Sequence, residues 1–424
     1  MRQIYTLILY CALPFLILRL VWRARRNPAY LRGLPERLGF FKVSAPARSI
    51  WIHTVSLGEA IAATPLIRAL LERHPDWPVV VTTTTLTGST YVLSQFKNRV
   101  IHGYLPFDFP YFNQRFLRKF QPKLGIIMET ELWPNLLDQT KKHGLPMILA
   151  NARLSERSAK GYARIASITR NMLLSFNWVA AQSLADGDRF VSLGLSADRV
   201  KVVGNLKFDC ELPENLGEQV KTLKVALGHD RPIWVVASTH AGEDPIILEA
   251  FEKLLLEFPK LLLILVPRHP ERFSEVADLC VTHGFKIARR SLGELPDINT
   301  SIYLGDTMGE LMVLYGVSTL ALVAGSIVPK GGHNLLEPAS LGLPILSGHG
   351  LENFVEIRDL LLEAEALREV SNSTEIVKVV SELLQNLRAS EAMGARALCV
   401  VEENRGALEK HLELINELVE LPTH

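Results

Sequence analysis

The chain has 424 residues, 48% hydrophobic and 21% charged, enough apolar side chain for a large buried core, and its length suggests two or three domains. This composition excludes a disordered chain, and the four scattered cysteines, Cys11, Cys210, Cys280 and Cys399, indicate neither a disulfide framework nor a zinc site. The net charge of +1 conceals an asymmetry: residues 1–48 hold nine Lys/Arg and one acid (Glu36), hence +8, which leaves 37 basic and 44 acidic residues, hence −7, elsewhere.

The N-terminus opens with IYTLILYCALPFLIL, residues 4–18, followed by Arg19, Trp22, Arg23, Arg25 and Arg26. Fifteen helical residues reach roughly 22 Å against a hydrocarbon core of about 30 Å, so a full crossing needs Leu20 to Trp22 and a snorkelling Arg19. Single-pass anchor and interfacial helix both stay open. A cleaved signal peptide is disfavoured, because no small-residue cleavage site follows and the basic cluster comes after the apolar run. Positive-inside logic places the main body in the cytoplasm.

From residue 49 short β-branched runs alternate with helical stretches. SIWIHTV, VVVTTTT, LGIIMET, PMILANA and WVAAQ read as buried parallel strands, and after KVVGNLKFD a second series follows in IWVVAST, LLLILVPR, SIYLGD, TLALVAG and PILSG. The fold class is α/β: two Rossmann-like, doubly wound parallel-sheet domains facing a central cleft. CELPENLGE, residues 210–218, is the best linker, which divides the chain into an anchor (1–26), an N-terminal domain (27–209) and a C-terminal domain (210–424).

Ligands of such sheets bind beyond the carboxyl ends of the strands, and the loops there are unusual. Gly-Glu opens a helix three times, ending at Glu59, Glu243 and Glu310, and GGHNLLEP sets Asn334 three residues before Glu337. Each is readable as a helix cap alone; together, with Gly331 and Gly332, they describe loops built for close approach of a ligand to backbone amides. Ser56 to Glu59 matches the S/T-x-x-E capping box, in which Gly58 is not required. The helix dipole favours ionised Glu59 at neutral pH, where it is able to accept a proton.

Glu129 and Glu131 end the LGIIM strand, and Glu129 is the better placed to face the ligand. Arg268, after an apolar strand, suits a phosphate better than a surface pair with Glu271. Lys207 adds positive charge or is solvated. His269 and His333 lack partners at metal-ligand spacing, so no metal or cofactor is indicated. In PFDFPYFNQRFLRKFQPK, residues 106–123, Phe112, Phe116 and Phe120 share a helical face that suits core packing or contact with anionic lipid equally.

Taken in order, HTVSLGE, METELWPN, NARLSERS, GNLKFD, STHAGE, VPRHPERF, GDTMGEL and GGHNLLEP resemble the Kdo (3-deoxy-D-manno-octulosonic acid) transferases of Gram-negative bacteria, glycosyltransferases of the GT-B fold. The resemblance covers nearly the whole chain, anchor included. It implies inverting transfer of Kdo from CMP-Kdo to the lipid A precursor lipid IVA at the cytoplasmic face of the inner membrane. By family analogy Glu59 is the base, with Ser56 and Gly58 at the acceptor approach, and Glu129 and Lys207 stabilise the transition state. Pro267, Arg268, Met308, Gly309, Glu310, Asn334, Leu335, Leu336 and Glu337 hold the donor. Two departures, Ala324 for a second glycine and Leu335 for a common proline, remove no functional group, although the Ala324 methyl is expected near the donor loop.

Alternatives are a membrane-tethered GT-B protein using another sugar nucleotide, or a non-catalytic sugar-nucleotide or lipid-binding protein in which Glu59 is merely a cap. No nucleic-acid partner is expected. The number of Kdo residues added and the oligomeric state stay open.

Overall fold

The computed structural model describes residues 2–25, 31, 33–43, 48–209, 212–228, 231–328 and 330–420; Arg26 of the basic cluster and Cys210 and Glu211 of the expected linker lie outside them. The chain forms two units, Met1–Asp209 with Arg405–His424, and Cys210–Asn404.

The first unit is built on β1 Ser49–Thr54, β2 Val79–Thr83, β3 Ile101–Tyr104, β4 Pro122–Met128, β5 Met147–Ala152, β6 Trp178–Ala181 and β7 Val200–Val202. They form one sheet in the order β3-β2-β1-β4-β5-β6-β7, every pairing parallel. Because helices cover both faces, successive side chains enter different core layers: Ile50 and Ile52 pack with Ala60 and Leu66, whereas Trp51 packs with Phe116 and Phe120. Each such fully buried side chain contributes about 1.5–3 kcal/mol of transfer free energy.

The second unit is built on β8 Ile233–Thr239, β9 Leu262–Pro267, β10 Ile287–Arg289, β11 Ile302–Leu304, β12 Leu320–Val323, β13 Ile345–Ser347 and β14 Leu367–Glu369. Their order is β10-β11-β9-β8-β12-β13-β14, again all parallel. In each sheet the winding reverses beside the first strand, between β1 and β4 and between β8 and β12. These switch points are where strand-to-helix loops diverge and leave room for a ligand.

The ten strands read from the sequence are all present, and the four it missed, β3, β7, β10 and β14, are the sheet edges. The last helix, Ala407–Val419, returns to the first unit rather than staying with the second, which the division at 210–424 did not foresee. Its residues Leu412, Ile415 and Leu418 join the core of the first sheet. Asp209 accepts hydrogen bonds at that helix's start from the Gly406 and Leu408 amides, at 2.7 and 2.8 Å. Buried His411 accepts from the Asn151 amide at 2.9 Å and donates to the Ala407 carbonyl at 2.7 Å, its pKa lowered to about 4 by burial.

The N-terminal helix, Arg2–Ala24, has 23 residues and is longer than the apolar run suggested, roughly 35 Å. Among the described residues it is the one helix long and apolar enough to cross a membrane. Leu7 and Phe15 are 64% and 72% exposed. Its opposite side is held by the first unit: Tyr5 donates to Asp108 Oδ2 at 3.1 Å, Thr6 to Asn135 Oδ1 at 2.8 Å, Arg2 pairs with Asp138, and the Tyr10 and Phe109 rings meet at 4.8 Å. In the segment 106–123 core packing prevails. Phe109, Phe116 and Phe120 are buried, Phe116 and Phe120 against Phe41, while Phe112 is half-buried and Tyr111 exposed.

Candidate active site

β1 ends at Thr54 and the chain turns through Ser56 into the helix Leu57–Ala62. Ser56 Oγ accepts from the Glu59 amide at 3.3 Å and donates to Glu59 Oε1 at 3.1 Å, while the Val55 amide donates to Oε2 at 2.7 Å. The capping box therefore forms with one change, the carboxylate reaching the amide before the cap residue. A Cβ on Gly58 would meet only Ser56 Oγ at 3.8 Å, so the space over this turn is open.

Glu59 itself is 6% exposed. Burial raises its pKa to about 7, the Val55 amide pulls it back, and the charges of Glu129 and Glu131 add to the rise. Full ionisation at neutral pH, expected from the helix dipole, is corrected: desolvation and two acidic neighbours outweigh the dipole. Glu131 is also raised to about 7, by burial and by Glu129. Both acids of METEL thus act electrostatically on Glu59. Glu129 follows β4, the strand beside β1 at the switch point, and sits at φ 54°, a left-handed conformation that costs of order 1–3 kcal/mol in a non-glycine residue.

Lys207 lies on the one-turn helix Leu206–Phe208, which packs against the helix bearing Glu59. Its turn is fixed by three amide side chains the sequence reading passed over. Asn205 Oδ1 accepts from the Lys207 amide at 3.1 Å, Asn205 Nδ2 donates to Gln182 Oε1 at 3.3 Å, and Gln182 Nε2 donates to the Asn151 carbonyl at 2.9 Å. Asn151 Oδ1 then accepts from the Leu206 amide at 3.0 Å. Buried amides at or shortly after strand ends were the available signal.

In the second unit the loop after β8 carries His240 and Glu243. Glu243 is fully buried and caps no side of its own helix. Its Oε2 accepts from the His240 and Gly325 amides at 2.9 and 2.8 Å, and its Oε1 from the Ser326, Ile327 and Val328 amides at 3.1, 3.0 and 3.3 Å. The cap expected from HAGE is instead a clamp on the loop after β12. Buried Asp244 beside it pairs with Arg272 at 2.5 Å and accepts from Thr239 Oγ1 at 2.6 Å.

Arg268, half-buried after Pro267 at the end of β9, acts electrostatically on His240, His333 and Glu337; Glu271 instead approaches His269, at 4.0 Å. Burial raises the Glu337 pKa, and Asn334 Nδ2 donates to Glu337 Oε1 at 3.3 Å. Arg268, Asn334 and Glu337 are thus brought together. Leu335 and Leu336 are wholly buried, and the Leu336 amide donates to Asn334 Oδ1 at 3.1 Å, so neither side chain is open to a ligand. Met308 is exposed and a Cβ on Gly309 would meet nothing within 4 Å, but Glu310 is engaged by Arg290, at 2.7 and 2.6 Å, and by Thr307. Arg290, absent from the sequence reading, lowers the Glu310 pKa.

Two further expectations change. A Cβ on Gly331 or Gly332 would strike Asn353 or Leu351, each at 2.4 Å, so these glycines admit the protein's own chain rather than a ligand. Ala324 is fully buried in the core of the second sheet, so its methyl packs there and is not open to a ligand.

The first unit gathers Glu59, Glu129 and Glu131, and the second gathers His240, His269 and His333 about Arg268. Comparison with known proteins agrees with a sugar-transferring pair of domains. A family model described as 3-Deoxy-D-manno-octulosonic-acid transferase (kdotransferase) matches residues 32–210. The chain is 42% identical over 422 residues to the 3-deoxy-D-manno-octulosonic acid transferase of Haemophilus influenzae, covering 99% of each, and 35% identical over 436 residues to that of Bordetella pertussis, covering 98% of this chain and 99% of the relative. The UDP-GlcNAc 2-epimerase of Neisseria meningitidis, bound to UDP-GlcNAc, superposes with a TM-score of 0.58 at 15% identity over 87% of this chain and 100% of that one, a likeness of fold alone. The architecture is GT-B, the protein is a glycosyltransferase, and the chain belongs to the 3-deoxy-D-manno-octulosonic acid transferase family.

Proposed function

We propose that the protein is an inverting enzyme that moves Kdo from CMP-Kdo to lipid IVA, with Glu59 as general base. The observation that carries this reading is a buried carboxyl with its pKa near 7, beneath open space at Gly58 and at the sheet's switch point. A base poised near the working pH is the efficient one. The acceptor hydroxyl gives its proton to Glu59 as its oxygen bonds the Kdo anomeric carbon, and CMP leaves with the electron pair of the broken bond. Glu129 and Lys207 stabilise charge in that step. Pro267, Arg268, Met308, Gly309, Glu310 and Asn334 through Glu337 hold the donor, and the reading invokes no metal or cofactor. Detergent-solubilised protein given CMP-Kdo and lipid IVA should yield a Kdo adduct by mass spectrometry; no adduct from folded protein would overturn the assignment.

The reading extends to the cytoplasmic face of the bacterial inner membrane, with Arg2–Ala24 as an interfacial anchor. Tyr5, Thr6 and Tyr10 rest on the first unit, so the helix start shares a side of the bilayer with that unit. An impermeant maleimide should therefore leave Gln3→Cys, in a Cys11→Ser background, unlabelled in intact spheroplasts. Labelling without permeabilisation means the helix crosses.

A further inference from the structure

Beyond β8, β9 and β12, His240, His269 and His333 gather around Arg268. Their numbers in the chain give no hint of this, and none of the three has a role in the transfer step. His240 Nε2 and His333 Nε2 stand 2.9 Å apart with the rings 6° from parallel, and His269 meets His240 edge-on with centroids 5.1 Å apart. At 2.9 Å one facing nitrogen carries a proton and the other accepts it, so the contact holds a single shared N–H. Two protonated rings are incompatible with it, since both nitrogens would then donate.

The pair is locked in place from two sides. A Cβ on Gly325 would lie 2.7 Å from His333 and 3.3 Å from His240, so the rings pack on bare backbone at φ 74°. Glu243 ties the His240 amide and the Gly325 amide to one carboxylate oxygen. The charged and titratable groups facing His240 are His269, Glu243, Arg268 and Arg272, and those facing His333 are Arg268, His240 and His269. Glu243 is the one acid among them, and its oxygens are occupied by backbone amides. Burial first, then these cations, hold both histidines below the usual range, His333 at about 4. Cations thus outnumber the one carboxylate that faces the pair.

We propose that the His240–His333 pair is a proton-linked anion switch: a nucleotide phosphate arriving beside Arg268 opens the histidine–histidine hydrogen bond, one ring takes a proton from solvent, and each ring turns an N–H toward the phosphate. No covalent bond changes, and the proton returns to solvent when the nucleotide leaves. The inference rests on the reading that the second unit binds the donor nucleotide. Affinity for nucleotide then falls as pH rises, by at most about tenfold per pH unit for one linked proton. Product release is coupled to proton loss.

The test is calorimetric titration of the full chain with CMP at neutral pH in buffers of low and high ionisation enthalpy. Wild type should take up as much as about one proton per CMP bound. His240→Gln and His333→Gln should each still bind CMP, take up fewer protons, and show an affinity that varies less with pH. Binding without proton uptake in the wild type overturns the switch and leaves the donor reading intact, as does equal uptake in wild type and both variants. No CMP binding by folded wild type removes the donor reading and the switch together. The wild-type arm decides even if a variant fails to fold.

Discussion

Glu59→Gln should lower kcat by roughly 10²–10⁴-fold while CMP still binds and the fold stays intact. Gln is nearly isosteric and keeps an oxygen to accept from the Val55 amide, as Glu59 does at 2.7 Å, so the helix start is preserved. What it loses is basicity. The raised pKa sets two signs. The base form disappears as pH falls through about 7, so wild-type kcat/KM should drop about tenfold per unit below that point and level off above it, and the variant should lack this limb. For stability, the folded-state pKa lies above the unfolded one, so charging Glu59 opposes folding as pH rises through about 7. The Gln variant escapes that cost, and its Tm at alkaline pH should match or exceed wild type. A merely structural role for Glu59 predicts the reverse: lower Tm and ordinary turnover.

Glu243→Ala should be the most damaging single change in the second unit. Five backbone amides lose their acceptor at once, those of His240, Gly325, Ser326, Ile327 and Val328. Buried donors left unpaired cost of order 1–3 kcal/mol each, although the loop will open to water before paying all of them, so a loss of about 3–5 kcal/mol is expected. Calorimetric unfolding should show the second unit melting earlier, with the KM for CMP-Kdo raised because the loop after β12 is no longer fixed. Glu243→Gln should fall between, since its NH2 group faces amides that also donate. An unchanged Tm in the alanine variant would show that the clamp carries no weight.

Glu59 and Glu243 hold the same place in their sheets, each in the Gly-Glu turn after the first strand and beside the switch point. The neighbouring strand decides what each becomes. Beyond β4 lie two carboxylates, which add to the effect of burial in pushing Glu59 toward its protonated form; beyond β12 lie four amides, which bind Glu243 as an anion would be bound. Glu310, third of the set, is taken by Arg290. Sequence pattern located all three and could not tell them apart, because the partners come from residues tens of positions away.

The strands show the same limit in another form. Interior strands such as Ile233–Thr239 are buried throughout and announce themselves as apolar runs. Edge strands such as Val200–Val202 and Leu367–Glu369 are three residues long and partly exposed, and a run that short carries no period. The histidine cluster was hidden for a related reason: His240 and His333 meet across 93 positions of chain. Asp209 and His411, which seat the last helix, were equally unreadable, since a cap is recognised locally and this one spans nearly two hundred residues.

That last helix also sets the order in which the protein is made. The second unit is one uninterrupted stretch of chain, complete as soon as its own residues have left the ribosome. The first unit, although begun earlier, waits for Ala407–Val419 to cover Leu66 and Ile415's neighbours in its core and to give Asn151 and Asp209 their partners. The unit synthesised first is therefore finished last, and a truncation after residue 404 would leave the second unit whole while exposing apolar core in the first.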